Sequence, residues 1–173
     1  MSNTIIEIFR QVLPTIVICL VIYCSLRIAY LIKNKIKFHF FNEIFLLVFI
    51  CYVMCLFYVV TYQDVGGIGT VNLTPFREML RYEFGSRLFV KNVVGNMLMF
   101  MPYGFFVSYF LKEKRTLIIL LLTLLVSGTI EYIQLKIGRV FDIDDIILNL
   151  LGGMFGSFAY ILCVKFGSIF KRK

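Results

Sequence analysis

Four carboxylates gather in one short stretch of an otherwise apolar chain. Asp142, Asp144 and Asp145 stand between two hydrophobic runs, and Glu131 lies near the end of the first run. Acidic side chains are energetically costly in or beside a bilayer, so their presence in such a hydrophobic chain indicates a functional site. Oxygen ligands of this kind could hold Mg²⁺, Mn²⁺ or Ca²⁺, and Glu131 could serve as a general base. These four acids are the candidate catalytic residues, and the three aspartates are the candidate metal ligands.

The same acids also have a structural explanation. Asp142 could cap a helix that begins just after it, and acids in the first turn favour the positive end of a helix dipole. One cap needs only one carboxylate, so three exceed the requirement. Glu131 needs a partner or a proton inside a helix, and Arg139 or Lys136 could pair with it. Both interpretations stay open at this point.

Polar side chains recur in pairs near one end of three hydrophobic segments. Residues three or four apart share one face of a helix. At a rise of about 1.5 Å per residue, Asn96, Glu131 and Asn149 would lie roughly 5–12 Å below one membrane surface. We expect them to converge on a polar site, where amides either bind a ligand or link helices. The pairs are Asn92 with Asn96, Glu131 with Gln134, and Asp145 with Asn149.

The composition is that of an integral membrane protein. The chain is 60% hydrophobic and 16% charged, with a mean hydropathy of +0.89, which leaves too little polar surface for a soluble domain. A spanning helix needs about 20 mostly apolar residues. The fold class is therefore all-α, a bundle of five transmembrane helices, predicted over residues 12–32, 44–62, 88–111, 116–135 and 146–164. Arg27 lies near one end of the first segment, where its side chain can extend to the headgroups.

The loop over residues 63–87 contains a further helix signal. Gly66, Gly67 and Gly69 indicate a turn. Thr74 and Pro75 then read as a helix cap and first turn. Apolar side chains follow at four-residue spacing, which predicts a short amphipathic helix in the membrane interface. These side chains are Phe76, Leu80 and Phe84.

The basic residues flank the predicted spans instead of forming one soluble face, although the net charge is +8. We therefore expect topology-setting charge and no nucleic-acid partner. The basic-residue rule predicts an extracytoplasmic N-terminus and a cytoplasmic C-terminus. The residues that set this orientation are Lys33, Lys35, Lys37, Lys112, Lys114, Arg115, Lys171, Arg172 and Lys173.

Four ordered motifs in residues 70–160 resemble the VanZ-like family. They are Asn-Leu-Thr-Pro-Phe at 72–76, the Asn-Val-Val-Gly-Asn and Phe-Met-Pro-Tyr-Gly runs at 92–104, Ile-Glu-Tyr-Ile-Gln at 130–134, and Asp-Ile-Asp-Asp at 142–145 with Asn149 and the following glycine pair. The chain then divides into two N-terminal helices with their loop at residues 1–69, a VanZ-like core at 70–160, and the end of the last helix with a basic tail at 161–173. The matching positions are Asn72, Pro75, Phe76, Asn92, Asn96, Pro102, Gly104, Glu131, Gln134, Asp142, Asp144, Asp145, Asn149 and Gly153.

The resemblance implies a bacterial plasma-membrane protein that acts at the outer leaflet or in the cell envelope. The family's namesake accompanies glycopeptide-resistance genes in Gram-positive bacteria and is associated with reduced susceptibility to the lipoglycopeptide teicoplanin. The resemblance names no reaction. The candidate ligand-binding residues are Asn72, Phe76, Asn92, Asn96, Gln134, Arg139 and Asn149.

Three functions fit the sequence. The first is binding of a lipoglycopeptide or of a lipid-linked cell-wall precursor, which would lower antibiotic susceptibility without catalysis. The second is a membrane enzyme that acts on a lipid or phosphate headgroup through a carboxylate-bound divalent metal. The third is a small transporter or proton-coupled channel that uses Glu131. No cofactor motif is present, so a divalent metal is the one cofactor that the residues allow.

Overall fold

Long apolar helices make up most of the protein. The computed structural model describes residues 2–61, 68–111 and 116–170. Within these ranges five helical spans are long and apolar enough to cross a membrane, so the predicted all-α, five-helix membrane fold is confirmed. The elements are α1 (Ser2–Lys33), α2 (Phe40–Thr61), β1 (Val71–Asn72), α3 (Arg77–Arg81), α4 (Arg87–Phe89), a π-helical turn (Val90–Val94), α5 (Gly95–Leu111), α6 (Thr116–Lys136), β2 (Phe141–Asp142) and α7 (Ile143–Phe170).

Some of the predicted features lie outside the described residues. These are the glycine turn at Gly66 and Gly67 and six of the basic residues that predict the orientation, namely Lys112, Lys114, Arg115, Lys171, Arg172 and Lys173.

The chain forms two compact units, Met1–Val59 and Val60–Lys173. In the first unit Arg27 of α1 makes a two-pronged ion pair with Glu43 of α2. The Nε and Nη2 atoms of Arg27 each lie 2.9 Å from a carboxylate oxygen of Glu43. The expectation that Arg27 extends to the headgroups missed this pair because α2 begins at Phe40, earlier than the apolar run suggested. A paired charge is far cheaper near the apolar part of a membrane than a single one.

Glycines bring α5 and α7 into backbone contact in the second unit. A Cβ atom on Gly104 would lie 1.9 Å from the carbonyl oxygen of Gly153, and one on Gly156 would lie 1.9 Å from that of Met101. Any larger residue would separate the helices, since real Cβ atoms do not approach so closely. These glycines of α7 therefore pack it against α5. This contact fixes the first turns of α7 beside those of α5.

The α6 helix packs on the same part of α7. A Cβ atom on Gly153 would lie 2.6 Å from the Thr123 hydroxyl oxygen. One turn closer to the start of α7, the Asn149 amide donates to the Ser127 hydroxyl at 2.8 Å. Such hydrogen bonds between helices stabilise membrane bundles modestly, by about 0.6 kcal/mol each. They set the height of α6 against α7.

A pair of two-residue parallel strands joins the loop before α3 to the turn before α7. Val71 pairs with Phe141, and Asn72 pairs with Asp142. The α6 helix ends at Lys136, and Gly138 in the turn that follows has a φ of +87°, which glycine adopts without strain. No sequence signal indicated these strands, because two residues carry no periodicity.

The amphipathic helix is shorter than the sequence predicts. Phe76 adopts a left-handed conformation with φ of +66°, so α3 begins at Arg77 and has five residues. Thr74 therefore does not cap it. The side chains of Phe76, Leu80 and Phe84 are exposed, as expected for a segment that contacts the membrane interface.

Candidate functional site

A polar cavity of about 310 Å³ lies where the start of α5, the end of α6 and the start of α7 meet α3. These three helix ends fall on the same side because the helices alternate in direction. Its walls carry both positive and negative side chains. The lining residues are Glu78, Met79, Tyr82, Lys91, Asn92, Val93, Gly95, Asn96, Met99, Arg139, Asp142, Asp144, Asp145 and Leu148.

Asp144 holds α3 in place. Its side chain is 1% exposed, and its carboxylate accepts three backbone N–H groups from the start of α3. Phe76 donates to Oδ1, while Glu78 and Met79 donate to Oδ2 at 2.8 and 3.2 Å. The carboxylate thus satisfies helix donors that have no partner within α3 itself. The cap that Thr74 was expected to supply comes from α7.

Asp142 joins three segments. Its Oδ1 accepts the Asp144 N–H at 2.9 Å, which confirms the predicted cap of α7. The Asn72 amide donates to both carboxylate oxygens at 3.2 and 3.3 Å, and its own oxygen accepts the Thr74 N–H at 3.3 Å. Asn72 therefore links β1 to β2 and does not line the cavity.

Glu131 is 1% exposed and has partners from two directions. Its Oε2 accepts the Asp142 N–H at 2.9 Å. With the Gln134 amide oriented to suit its neighbours, the Gln134 nitrogen donates to Oε1 at 3.0 Å and its oxygen accepts from Arg139 Nη1 at 3.0 Å. Arg139 thus reaches Glu131 through Gln134. Lys136, the other expected partner, lies over the Tyr132 ring at 5.3 Å from its centroid.

Asp145 faces α5. Its Oδ1 accepts the amide N–H of Asn96, and it interacts electrostatically with Arg139. Asp145 is half-buried, whereas Asp142 and Asp144 are buried. Among the three aspartates it is therefore the one with an accessible carboxylate beside the cavity.

A smaller inner recess of about 40 Å³ adjoins the cavity. The two share Asn96, Met99, Arg139 and Asp145 as lining residues. Glu131, Gln134 and Asn149 line the recess but not the cavity. All three polar pairs that were predicted to converge therefore line the cavity or the recess. Its lining residues are Asn96, Met99, Phe100, Ile130, Glu131, Gln134, Arg139, Asp145 and Asn149.

Lys91 also lines the cavity, although it was not among the candidate site residues. The chain from Val90 to Val94 forms a π-helical turn instead of the continuous α-helix that was predicted. Such turns shift the register of side chains and are frequent at functional sites. Lys91 and Asn92 of this turn line the cavity. Its position next to the paired asparagines Asn92 and Asn96 was the available sequence signal.

The expected site residues separate into two groups. Asn92, Asn96 and Arg139 line the cavity, and Gln134 and Asn149 line the recess. Asn72 and Phe76 instead make contacts that hold the surrounding loops.

The carboxylates do not converge on a metal centre. Through the parts of the chain that the structure describes, no three His, Cys, Asp or Glu side chains form a group that could hold a metal ion. The Asp144 and Asp142 oxygens accept N–H groups of the chain, and a cation would compete with these donors. The geometry gives the three-aspartate metal site no support.

The comparison with known proteins agrees with the sequence motifs. The family model VanZ/LLP1 matches residues 44–164, which is most of the chain and includes every residue of the cavity and recess. No curated protein and no solved structure matches the chain. The match and the ordered motifs together show that this membrane protein belongs to the VanZ/LLP1 family.

Proposed function

We propose that this multi-pass membrane protein binds a lipophilic or lipid-linked ligand at the outer leaflet of a bacterial plasma membrane, with the ligand's polar headgroup in the polar cavity. The cavity is the observation that carries the proposal. Its volume of about 310 Å³ lies within the range of about 300–1,000 Å³ typical of small-molecule sites. It lies at the ends of three apolar spans, where a ligand anchored in the bilayer can present a headgroup.

The cavity offers both donors and acceptors to such a headgroup. Lys91 and Asn92 of the π-helical turn supply donors at the mouth, and Arg139 supplies a guanidinium deeper in. Asp145 supplies an accessible carboxylate. Asp142 and Asp144, in contrast, use their oxygens to hold α7 and α3. The first four residues are the proposed headgroup contacts, and the latter two keep the walls in place.

The segment next to the cavity suits a ligand that remains in the membrane. Leu80 and Phe84 are 83% and 88% exposed, which favours contact with lipid over contact with water. An apolar tail could stay among the lipids while the headgroup enters beside α3. A soluble ligand would have no need of this apolar rim.

We further propose that the N-terminus is extracytoplasmic and the C-terminus cytoplasmic. Lys33, Lys35 and Lys37 between α1 and α2 support this orientation. In it the cavity opens to the cell envelope, where an acylated glycopeptide such as teicoplanin and the lipid-linked wall precursor that it targets both occur. Binding of either would lower access of the drug to its target.

Binding to purified protein in nanodiscs tests the proposal. We expect teicoplanin or a short-chain lipid-linked precursor to bind the wild type, and Lys91→Ala and Asn92→Ala to weaken that binding about tenfold, a loss of about 1.4 kcal/mol. Lys136→Ala is the matched control, since it removes a charge at the same end of the bundle but outside the cavity. No binding by the wild type, or equal binding by all variants, would count against a headgroup site.

A membrane enzyme that acts on a lipid or phosphate headgroup is the second candidate. The carboxylates of Glu131 and Asp145 favour it, since both line the inner recess and could act as acid and base. Incubation with a phospholipid panel, followed by mass spectrometry of the products, tests this function. Turnover that is lost in Asp145→Asn would establish it, and absence of any product would remove it.

A further inference from the structure

We infer that the inner recess binds a primary ammonium group carried by the ligand's headgroup. The inference rests on the proposed function and narrows the ligand to the class of amine-bearing lipids. It starts from a buried oxygen, Oδ1 of Asn149, that no donor among the described residues reaches.

The Asn149 side chain is 4% exposed, and its nitrogen donates to Ser127 at 2.8 Å. Its Oδ1 is fully buried, and no donor in the described part of the chain reaches it. A buried acceptor without a donor is costly, and nearly all of them in folded proteins have a partner. Because Asn149 lines the recess, a donor in the recess would satisfy this oxygen.

The charges around the recess favour a cationic donor. Glu131 and Asp145 contribute two carboxylates, and Arg139 contributes one guanidinium. The Asn96 amide turns its nitrogen to Asp145, so its oxygen is left for another donor. An ammonium group has three N–H donors and no acceptor, which matches a recess rich in acceptors.

The recess is large enough for an ammonium group. One water molecule needs a cavity volume of about 10–15 Å³. The recess of about 40 Å³ can therefore hold one water and one ammonium group, which is similar in size to a water. Phe100 and Ile130, both nearly fully buried, form part of its wall. A trimethylammonium group has no N–H to donate to the Asn149 oxygen. The remainder of the headgroup would occupy the polar cavity, which shares Asn96, Arg139 and Asp145 with the recess.

A methylation series separates this role from general headgroup binding. Short-chain phosphatidylethanolamine and its mono-, di- and trimethylated forms have the same phosphate and chains, so they differ only at the amine. We expect affinity for the wild-type protein to fall at each step, with the trimethylated form at least about tenfold weaker. Free ethanolamine is the comparison that distinguishes a lipid source from a soluble one, since equal affinity would assign the site to a soluble amine.

Variants of Asn149 and of Ser127 test whether the Asn149 oxygen accepts from the ammonium group. Asn149→Leu should abolish the preference for the unmethylated amine. Ser127→Ala is the matched control, because it removes the same interhelical hydrogen bond and keeps the Asn149 oxygen, so the preference should persist. Should the leucine variant not fold, Asn149→Asp retains an acceptor and should keep or increase the preference.

Two results would overturn the inference, and they differ in what they say about the proposed function. If all four lipids bind equally and Lys91→Ala weakens each of them, the recess holds only water while the headgroup site stands. If no lipid or glycopeptide binds at all, both the inference and the headgroup site fail.

Discussion

Replacing Asp144 by asparagine should release α3 from α7 while the remainder of the bundle stays folded. The carboxylate accepts N–H groups from Phe76, Glu78 and Met79. In Asp144→Asn the amide oxygen can occupy the Oδ2 position and keep two of these bonds. The amide nitrogen then faces the Phe76 N–H, and that bond is lost.

The magnitude follows from these three bonds. A hydrogen bond to a charged group contributes about 1.5–3 kcal/mol, and a neutral one about 0.5–1.5 kcal/mol. The loss of one charged bond and the weakening of two others amounts to about 4 kcal/mol. Because the N–H donors are only partly buried, hydrogen bonds to water can offset part of this loss, and a destabilisation of about 2 kcal/mol should remain. That corresponds to an increase of about thirtyfold in the opening equilibrium of α3.

Hydrogen exchange measures this opening directly. We expect the amides of Glu78 and Met79 to exchange about thirtyfold faster in Asp144→Asn, with little change in α5 or α7. Glu78→Gln is the control, since its carboxylate pairs with Arg81 at 3.2 Å on the surface, an interaction that contributes little. Unchanged exchange over residues 74–82 in Asp144→Asn would refute the conclusion that this carboxylate holds α3.

Three further results are expected. Gly104→Ala should lower the stability of the purified protein in thermal unfolding by about 1–3 kcal/mol, because its Cβ would meet the Gly153 carbonyl. Gly128→Ala is the control and should leave the stability unchanged, since a Cβ there meets no atom within 4 Å. Equal melting temperatures of the two variants would contradict the glycine contact. Chelation by EDTA should leave the melting temperature unchanged, since the aspartates accept N–H groups; a large decrease would reveal a structural metal. In a cysteine-free background, a membrane-impermeant thiol reagent should label Lys136→Cys in intact cells and Lys35→Cys only after permeabilisation, and the reverse pattern would invert the proposed topology.

Much of the architecture was predictable because it depends on local properties of the chain. Hydrophobicity over about 20 residues identifies a span without knowledge of its neighbours. The pairs such as Asn92 with Asn96 share a helix face for the same local reason, and alternating helix direction puts their ends on one side. The Asp142 cap also follows from adjacent sequence, since it acts on Asp144 two residues away.

The role of each acid could not be predicted in this way. Asp144 bonds to N–H groups 65 to 68 residues earlier in the chain, and Asp142 bonds to Asn72 across 70 residues. Three adjacent carboxylates look equivalent in sequence, yet one holds a helix in place, one caps α7, and one faces the cavity. Hydrogen bonds depend on distances of a few tenths of an ångström, and packing of distant segments sets those distances.

The sequence by itself thus determined that the chain is a five-span membrane protein with VanZ-like motifs and with polar residues near one end of three spans. Only the tertiary structure decided that Lys91 lines the cavity from a π-helical turn and that Asn149 Oδ1 has no donor within the part of the chain that the structure describes. Spans and helix faces follow from periodicity and hydrophobicity, which neighbouring residues encode. Hydrogen-bond partners and cavities form where segments far apart in sequence meet. The close contact of α5 with α7 brings such segments together here.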